Sequence, residues 1–544
     1  MTTRILAIAA ATLLAPASFA QPGSITGLDA ALVQTRGLQV NGRNGSFPNG
    51  ESGLSSTIDI CNFGSTIINW FAPMNPDHPM YSQMVARDLG FRFEQISDRS
   101  YVKHGFASIN GGVCGGCVNP GSGALLGLNC SDTYGAGLNA NTFYLGPPAE
   151  INPWTGAWNP VGSHFDMGFP PVSGGAASDG SRSNINVPGG VTFRVRVSDA
   201  DMNTSAAFYY GHYVIVPNEP GTAKDNNGVY RRFTPTWTGS TWNFSNNTGS
   251  VTQSSMLENW GGAKLGSAGN GPNGDPVNDG KFYVGMKVSG PDGNGMWHYE
   301  YAVHNRDNSR GADQFTIPVC PGTVVSNITF GDIDNDGGNE WTGQQVGDNI
   351  VWTGPSANSL EWNTIYNFAF DADAGPMANG TVNLRQARAG AGTAAVDVVI
   401  DTPGAQFDTF IGAPCGNPNL MLDVSGLVPA PTLPNPFFGL GITGAGAGNT
   451  VGFSFSAGNV ATDFGNGCVW QLDFATSAVL AGIPADGTGF ARLPLPLPNV
   501  PGLAGIPLFF QATELVVGGP VFGVANLSNA LRVNLGNVGP TSCN

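Results

Sequence analysis

Glycine and proline set the limits on what this chain can fold into: 79 glycines and 39 prolines are scattered through 544 residues without a fixed period. Glycine weakens a helix through backbone entropy and proline through its missing N–H. A helical reading is therefore poor, and the lack of a strict Gly-X-Y repeat excludes a collagen helix. The chain is not disordered by composition. Hydrophobic residues make up 41% and aromatic residues 10%, including 11 tryptophans, and so much apolar surface has to be hidden. Strands between turns are the remaining solution.

The local patterns agree. Segments 207–216, 281–288 and 297–304 alternate or run apolar, with β-branched and aromatic residues inside and Gly, Asn or Pro at the ends. In 191–197 (VTFRVRV), Arg194 and Arg196 share one face while Phe193, Val195 and Val197 share the other, as in a half-buried strand. The best helix candidate is 80–89 (MYSQMVARDL), which stops at Gly90.

The first twenty residues read as a secretory signal. Arg4 is the positive end, 5–14 the apolar stretch, and Ser18-Phe19-Ala20 the small-x-small cleavage site. No later run of about 18 apolar residues follows, so no transmembrane segment is expected after cleavage. The expected location is secreted, periplasmic or at the cell surface. Eight cysteines in an oxidising compartment read as disulfides. Cys114-Gly-Gly-Cys117 has the spacing of redox and zinc motifs, but it lies in a Gly-rich loop with only Cys130 nearby, which favours a structural bond. Cys130 is expected to pair with Cys114 or Cys117, leaving the other for Cys61 or Cys320. Cys415 is expected to pair with Cys468. A net charge of −16 leaves no basic face for nucleic acid.

Composition shifts near residue 411: seven charged side chains fall in 412–544, and all six histidines lie before residue 363. The expected organisation is a signal peptide (1–20), a linker (21–44), a large β-rich domain (45–385), a linker (386–404) and a C-terminal domain (405–544). The fold class is all-β, built of antiparallel β-sandwich domains, with the smaller C-terminal one immunoglobulin-like in strand count and rhythm.

Arg92-Phe93-Glu94-Gln95-Ile96, Lys103-His104-Gly105-Phe106, the Cys114/Cys117 pair, Asn129-Cys130-Ser131-Asp132 and the run 360–368 (LEWNTIYNF) resemble uncharacterised secreted bacterial proteins of the planctomycete type. The runs 505–512 (GIPLFFQA) and 528–531 (SNAL) look like a tail module of the same proteins. This resemblance implies export and assigns no catalytic residue, because the family carries no established activity.

Motifs for known chemistry are missing. There is no G-x-S-x-G and no H-E-x-x-H, and 274–281 (GDPVNDGK) has the wrong spacing for a phosphate loop. His298 and His304 would share a strand face about 20 Å apart, too far for one metal. His104, His164 and His212 with Met80 or Met167 have the chemistry of a copper site, but the commoner reading is dispersed, half-buried histidine. Trp-Thr-Gly occurs four times, at Trp154, Trp237, Trp341 and Trp352, with irregular gaps that exclude a propeller repeat. Exposed indoles would stack on sugars, whereas the bland reading puts each at a core edge. The function read from the sequence is binding or structure outside the cell, with a polysaccharide or envelope component as partner and no reaction assigned. The alternative is an exported enzyme with a His- or carboxylate-centred site in the first domain, acting on polysaccharide.

One loop carries a specific ion signature. Asp332, Asp334 and Asp336 alternate and are followed by Gly337, the opening of an oxygen-ligand calcium loop. The carbonyl of Gly338 would be the next ligand and Glu340 the one after. Gly343 stands where an EF-hand has its bidentate Glu, and no helices are expected beside it. Calcium is the expected cofactor, with a stiffening role and none in chemistry.

Overall fold

A computed structural model describes residues 26–167, 179–182, 195–245, 250–271, 278–292, 296–320, 323–334, 336–390, 392–404, 408–425, 431–503 and 506–536. The expected signal peptide, 1–20, lies outside them. Strands occupy 49% of the chain and helices 7%, and the pairings are antiparallel, so the molecule is all-β. It forms two compact units. The first comprises the described parts of Met1–Val85, Arg99–Thr204 and Phe208–Met256, and the second those of Ala86–Asp98, Ser205–Ala207 and Leu257–Asn544.

The first unit begins with a strand where a linker was expected. Ala30–Asn44 pairs along its whole length with Glu51–Asn62. Its register shifts between Leu32 and Gln34, Arg36 and Gln39, and Val40 and Gly42. Each irregularity resets which face a side chain takes, so the period-two signal is broken and the segment does not read as a strand. The other edge of Glu51–Asn62 is shared by Val195–Ser198 and Ser131–Tyr134. A second sheet runs in the order Trp242–Ser245, Gly228–Trp237, Ala207–Ile215, Met80–Asp88, Val102–His104 and Leu145–Gly146. Met80–Asp88 is the segment expected as a helix. It is an interior strand buried from Met80 to Ala86, and burial on both faces removes the alternation that separates strand from helix. Leu32, Ile58, Ile60, Trp70, Tyr81, Val214 and Val229 form the core of this unit.

The second unit contains two large hydrophobic cores. The first lies in a sandwich. One sheet orders Lys264–Gly269, Lys281–Ser289, Trp297–Asn305, Thr364–Ala372 and Val325–Gly331; the other orders Thr342–Val346, Asn349–Thr353, Ala312–Pro318, Pro376–Gln386 and Ala395–Pro403. The expected linker 386–404 is thus mostly strand: Ala395–Pro403 pairs with Pro376–Gln386, and only the residues between them turn. The alternation of Val396, Val398 and Ile400, all buried, marks the strand. Phe315, Trp341, Trp352, Phe368 and Phe370 fill the space between the two sheets.

Two of the Trp-Thr-Gly runs explain each other. Gly343 lies opposite Trp352 in the hairpin of Thr342–Val346 and Asn349–Thr353. A Cβ on Gly343 would overlap the Trp352 indole, and one on Gly354 would overlap the indole of Trp341. Each glycine therefore makes room for the tryptophan of the other motif. Both indole N–H groups are satisfied, Trp341 by Asn358 O at 2.6 Å and Trp352 by Thr329 O at 3.0 Å.

The C-terminal core is a second sandwich. Its five-stranded sheet orders Asp408–Ile411, Ala525–Asn534, Pro507–Leu515, Thr450–Ser456 and Ala478–Pro484; its three-stranded sheet orders Met421–Ser425, Gly439–Thr443 and Ala491–Pro494. Leu422, Leu440, Ile442, Phe453, Phe510 and Leu531 lie between them.

Candidate functional site

The acidic loop leaves the end of Val325–Gly331, and its carboxylates turn back on their own backbone. Asp332 Oδ1 accepts from Asp334 N at 3.1 Å, Asp334 Oδ1 from Asp336 N at 2.7 Å, and Asp336 Oδ1 from Gly338 N at 3.1 Å. These are Asx turns, the usual local bond of Asp to a backbone N–H two residues on. The root is held by buried Asn358, whose Nδ2 donates to Asp332 Oδ2 at 2.6 Å and to Asn339 O at 3.1 Å. Partial burial raises the Asp332 carboxyl above the usual range. Glu340 is raised by desolvation first and then by the charges of Asp332, Asp334 and Asp336. The four acids are thus electrostatic neighbours. One oxygen of each Asp is spent on the backbone. Among the described residues no three His, Cys, Asp or Glu side chains form a metal-holding set.

The disulfides are Cys61–Cys114, Cys117–Cys130 and Cys415–Cys468, with Cα–Cα distances of 6.0, 4.3 and 5.2 Å. Cys320 is also disulfide-bonded. Cys114 and Cys117 therefore each bond elsewhere, and C-x-x-C here is two anchors of one loop. Cys415–Cys468 packs with Val521, Ala525, Leu527, Phe464 and Trp470, apart from the main C-terminal core, and so pins the hairpin of Asn459–Asp463 and Val469–Leu472.

Two histidines of the first unit meet, but the pair is not the one the sequence suggests. His78 Nε2 and His104 Nδ1 are 2.7 Å apart, while His78 Nδ1 lies 2.5 Å from Asn75 O. Both rings are buried, beside Trp158 and, for His104, Phe165. Burial pushes His78 down to about 4 and holds His104 well below the usual histidine value, with His78 and Lys103 adding to the latter. Both are neutral at pH 7. Met80 sits opposite His104 in the sheet, and His164 is close enough for its charge to act on His104. His212 instead bonds Ser56 Oγ at 2.7 Å. The Met167 side chain lies outside the described residues.

A carboxyl without a sequence motif, Glu300, is buried on a strand of the second unit. Along Trp297–Asn305, Tyr299, Tyr301 and Val303 face the core, which turns His298, Glu300 and His304 to the other face. The Glu300 side chain is 5% exposed. Arg92 Nη1 stands 3.5 Å from Oε1, Asn367 Nδ2 donates to it at 3.4 Å, and Arg92 Nε donates to Glu94 Oε2 at 2.8 Å. Burial outweighs Arg92 and His298 and lifts Glu300 to about 7. His298, on the same face, holds Asp371 Oδ1 at 2.6 Å. The signal available was His-x-Glu on one strand face, but Arg92, which faces the carboxyl, comes about 200 residues earlier in the chain.

The sign of the linkage is definite. The folded chain keeps a proton on Glu300 between pH 4.5 and about 7 where the unfolded chain has lost it, so stability falls as pH rises through that window. Glu300→Gln should therefore be the more stable form at pH 8, by on the order of 2–3 kcal/mol, and equal to wild type near pH 4.5. Urea melts of both proteins at the two pH values check this; parallel curves would refute it.

The tryptophans divide clearly. Trp154, Trp341 and Trp352 are core residues. Trp237 is half-buried, stacked on Phe47 at 4.6 Å with Arg43 over its ring. The accessible aromatic face is elsewhere, in the C-terminal sandwich. Phe474 is 57% and Phe522 78% exposed. Phe464 lies 6.2 Å from Phe474 and 5.3 Å from Phe522, and Trp470 stacks on Phe474 at 5.8 Å.

Fold and sites together define a disulfide-linked, antiparallel β-sandwich protein. No family model matches the chain, and neither does any curated protein. Among solved structures it is similar to the major pilin subunit of Bacillus cereus, at 9% identity and a TM-score of 0.20, over 67% of this chain and 90% of that one. It is also similar to Escherichia coli alpha-2-macroglobulin, at 10% identity and a TM-score of 0.13, over 92% of this chain and 35% of that one. At such scores neither likeness defines a shared fold or function.

Proposed function

We propose that this is a secreted, calcium-stabilised binding protein of the cell exterior that attaches to a polysaccharide or another component of the envelope through its C-terminal sandwich. The observation that carries this reading is the pair of exposed rings Phe474 and Phe522, backed by half-buried Phe464 and Trp470. Aromatic faces present a flat apolar surface to sugar rings, and contiguous exposed apolar patches mark interaction sites. The surrounding module has seven charged residues in 412–544, so ion pairing contributes little there. Disulfides in both units support an oxidising compartment. Co-sedimentation with insoluble envelope polysaccharide tests the reading: Phe474→Ala/Phe522→Ala should lose at least about tenfold in affinity, the loss of two stacking side chains. Equal binding by wild type and variant would end it.

Calcium enters the same proposal at Asp332, Asp334, Asp336, the Gly338 carbonyl and Glu340. Four neighbouring acids repel one another, and an oxygen-seeking cation would relieve that repulsion once the Asp side chains let go of the backbone. Calorimetry should detect calcium with a Kd of ~0.1–1 mM, lost in Asp334→Ala. A melting temperature indifferent to millimolar calcium would count against it.

The raised carboxyl of Glu300 favours a second reading, an exported enzyme that uses it as a proton donor. Hydrolysis of envelope polysaccharide that vanishes in Glu300→Gln would replace the first reading with this one.

A further inference from the structure

The first unit buries a lysine with unusual company. Lys224 opens the single 3-10 turn Lys224–Asn226, and Asn227 caps that turn, its N–H returning to Lys224 O. In a 3-10 turn side chains three apart eclipse each other, so Lys224 and Asn227 point the same way. Both are buried, Lys224 at 1% exposure, beside Glu219 and near the Trp154 ring, which lies 5.6 Å from Nζ. Lys224 Nζ stands 3.6 Å from Glu219 Oε2 and has no hydrogen-bond acceptor. Asn227 Nδ2 donates to that same Oε2 at 2.5 Å and to Val214 O at 3.1 Å, while Asn227 Oδ1 has no donor. The other Glu219 oxygen takes Ala30 N at 2.7 Å. Asp29, a second buried acid, accepts from Asn226 Nδ2 at 2.9 Å.

A buried ammonium and an amide oxygen left unsatisfied are both costly in a folded core. One reaction removes both liabilities. We propose that Lys224 Nζ attacks the side-chain carbonyl carbon of Asn227, joining the two residues by an amide bond, with Glu219 relaying the proton. The bond formed is Nζ–Cγ and the bond broken is Cγ–Nδ2. Glu219 Oε2 stands 3.6 Å from the entering nitrogen and 2.5 Å from the leaving one, so it takes protons from Nζ and delivers one to Nδ2, which departs as ammonia. No oxidant, reductant or cofactor is involved. Two features set up the step. Starting from ammonium and carboxylate, Nζ passes two protons to Glu219, one of which goes on to Nδ2 while the other stays on the carboxyl in its dry site. Burial does hold Glu219 above its usual range, with Asp29 adding to the effect and Lys224 opposing it. The turn then holds nucleophile and carbonyl together as one intramolecular pair. The product is a covalent clasp closing the turn between Ala207–Ile215 and Gly228–Trp237.

Trypsin reads this directly in the reduced and alkylated full-length protein. A linked Lys224 is no longer a cleavage site, and no other Lys or Arg lies between 197 and 230. The expected product is one peptide, 197–231, lighter than its sequence by the mass of ammonia, about 17 Da. Lys224→Arg, which keeps the charge opposite Glu219, should give the full mass, and Glu219→Gln should suppress the loss. Recovery of separate 197–224 and 225–231 peptides at full mass from the wild type would overturn the proposal. A loss of ammonia that persists in Lys224→Arg would overturn it too, since ring closure of Asn227 onto Gly228 would then be its source.

Discussion

Phe368→Ala should lower the unfolding free energy of the second unit by about 4 kcal/mol, near the top of what one side chain can cost. Phe368 is fully buried between the two sheets. Its ring centre lies 4.7 Å from Phe315, 5.4 Å from Phe330, 5.4 Å from Trp352 and 5.5 Å from Trp341. Removing it deletes the transfer energy of one phenyl group. It also opens a cavity that four rigid rings on a closed sandwich cannot collapse into, and the second term sets the size. Phe474→Ala is the control: that ring is 57% exposed, and its loss should stay near 0.5 kcal/mol. Urea denaturation followed by tryptophan fluorescence would separate the two, and similar midpoints would refute the assignment of Phe368 to the centre of the core.

The second large effect belongs to Cys415–Cys468. The bond closes a loop across a sequence separation of 53, which in the chain-entropy view is worth about 4 kcal/mol. Because it ties down a two-stranded hairpin outside the main sandwich core, its loss should be felt locally first. Cys415→Ser/Cys468→Ser should expose the amides of 459–472 to hydrogen exchange while those of Pro507–Leu515 keep their protection. Uniform loss of protection across the C-terminal sandwich would show that the hairpin and the sandwich unfold as one.

Much of this architecture was legible in the sequence, and for definable reasons. Trp297–Asn305 reads as a strand because Tyr299, Tyr301 and Val303 alternate with polar residues, and that alternation is physically the difference between core and outer face. Legibility ends where a residue's surroundings come from distant chain. Ala30–Asn44 is irregular by itself and becomes a strand only against Glu51–Asn62. Met80–Asp88 is buried on both faces, so nothing local distinguishes it from a helix. Arg92, which faces Glu300, and His104, which meets His78, lie at separations across which spacing carries no information. The Asp332–Glu340 loop is the opposite case. Its motif is entirely local and easily seen, while the directions of its side chains are set by Asx turns and by Asn358.

The exchange of glycines and tryptophans between residues 341–343 and 352–354 bears on how faithfully this hairpin assembles. A slip by one residue turns every side chain of a strand to the other face, and Gly-rich strands resist it least. Here a slip by one residue would set Trp352 against a residue with a Cβ in place of Gly343, and Trp341 likewise in place of Gly354, both at the open end of the hairpin. The alignment adopted is the one in which both large rings find their vacancies, so four residues together fix the register of this hairpin beneath Phe315 and Phe368.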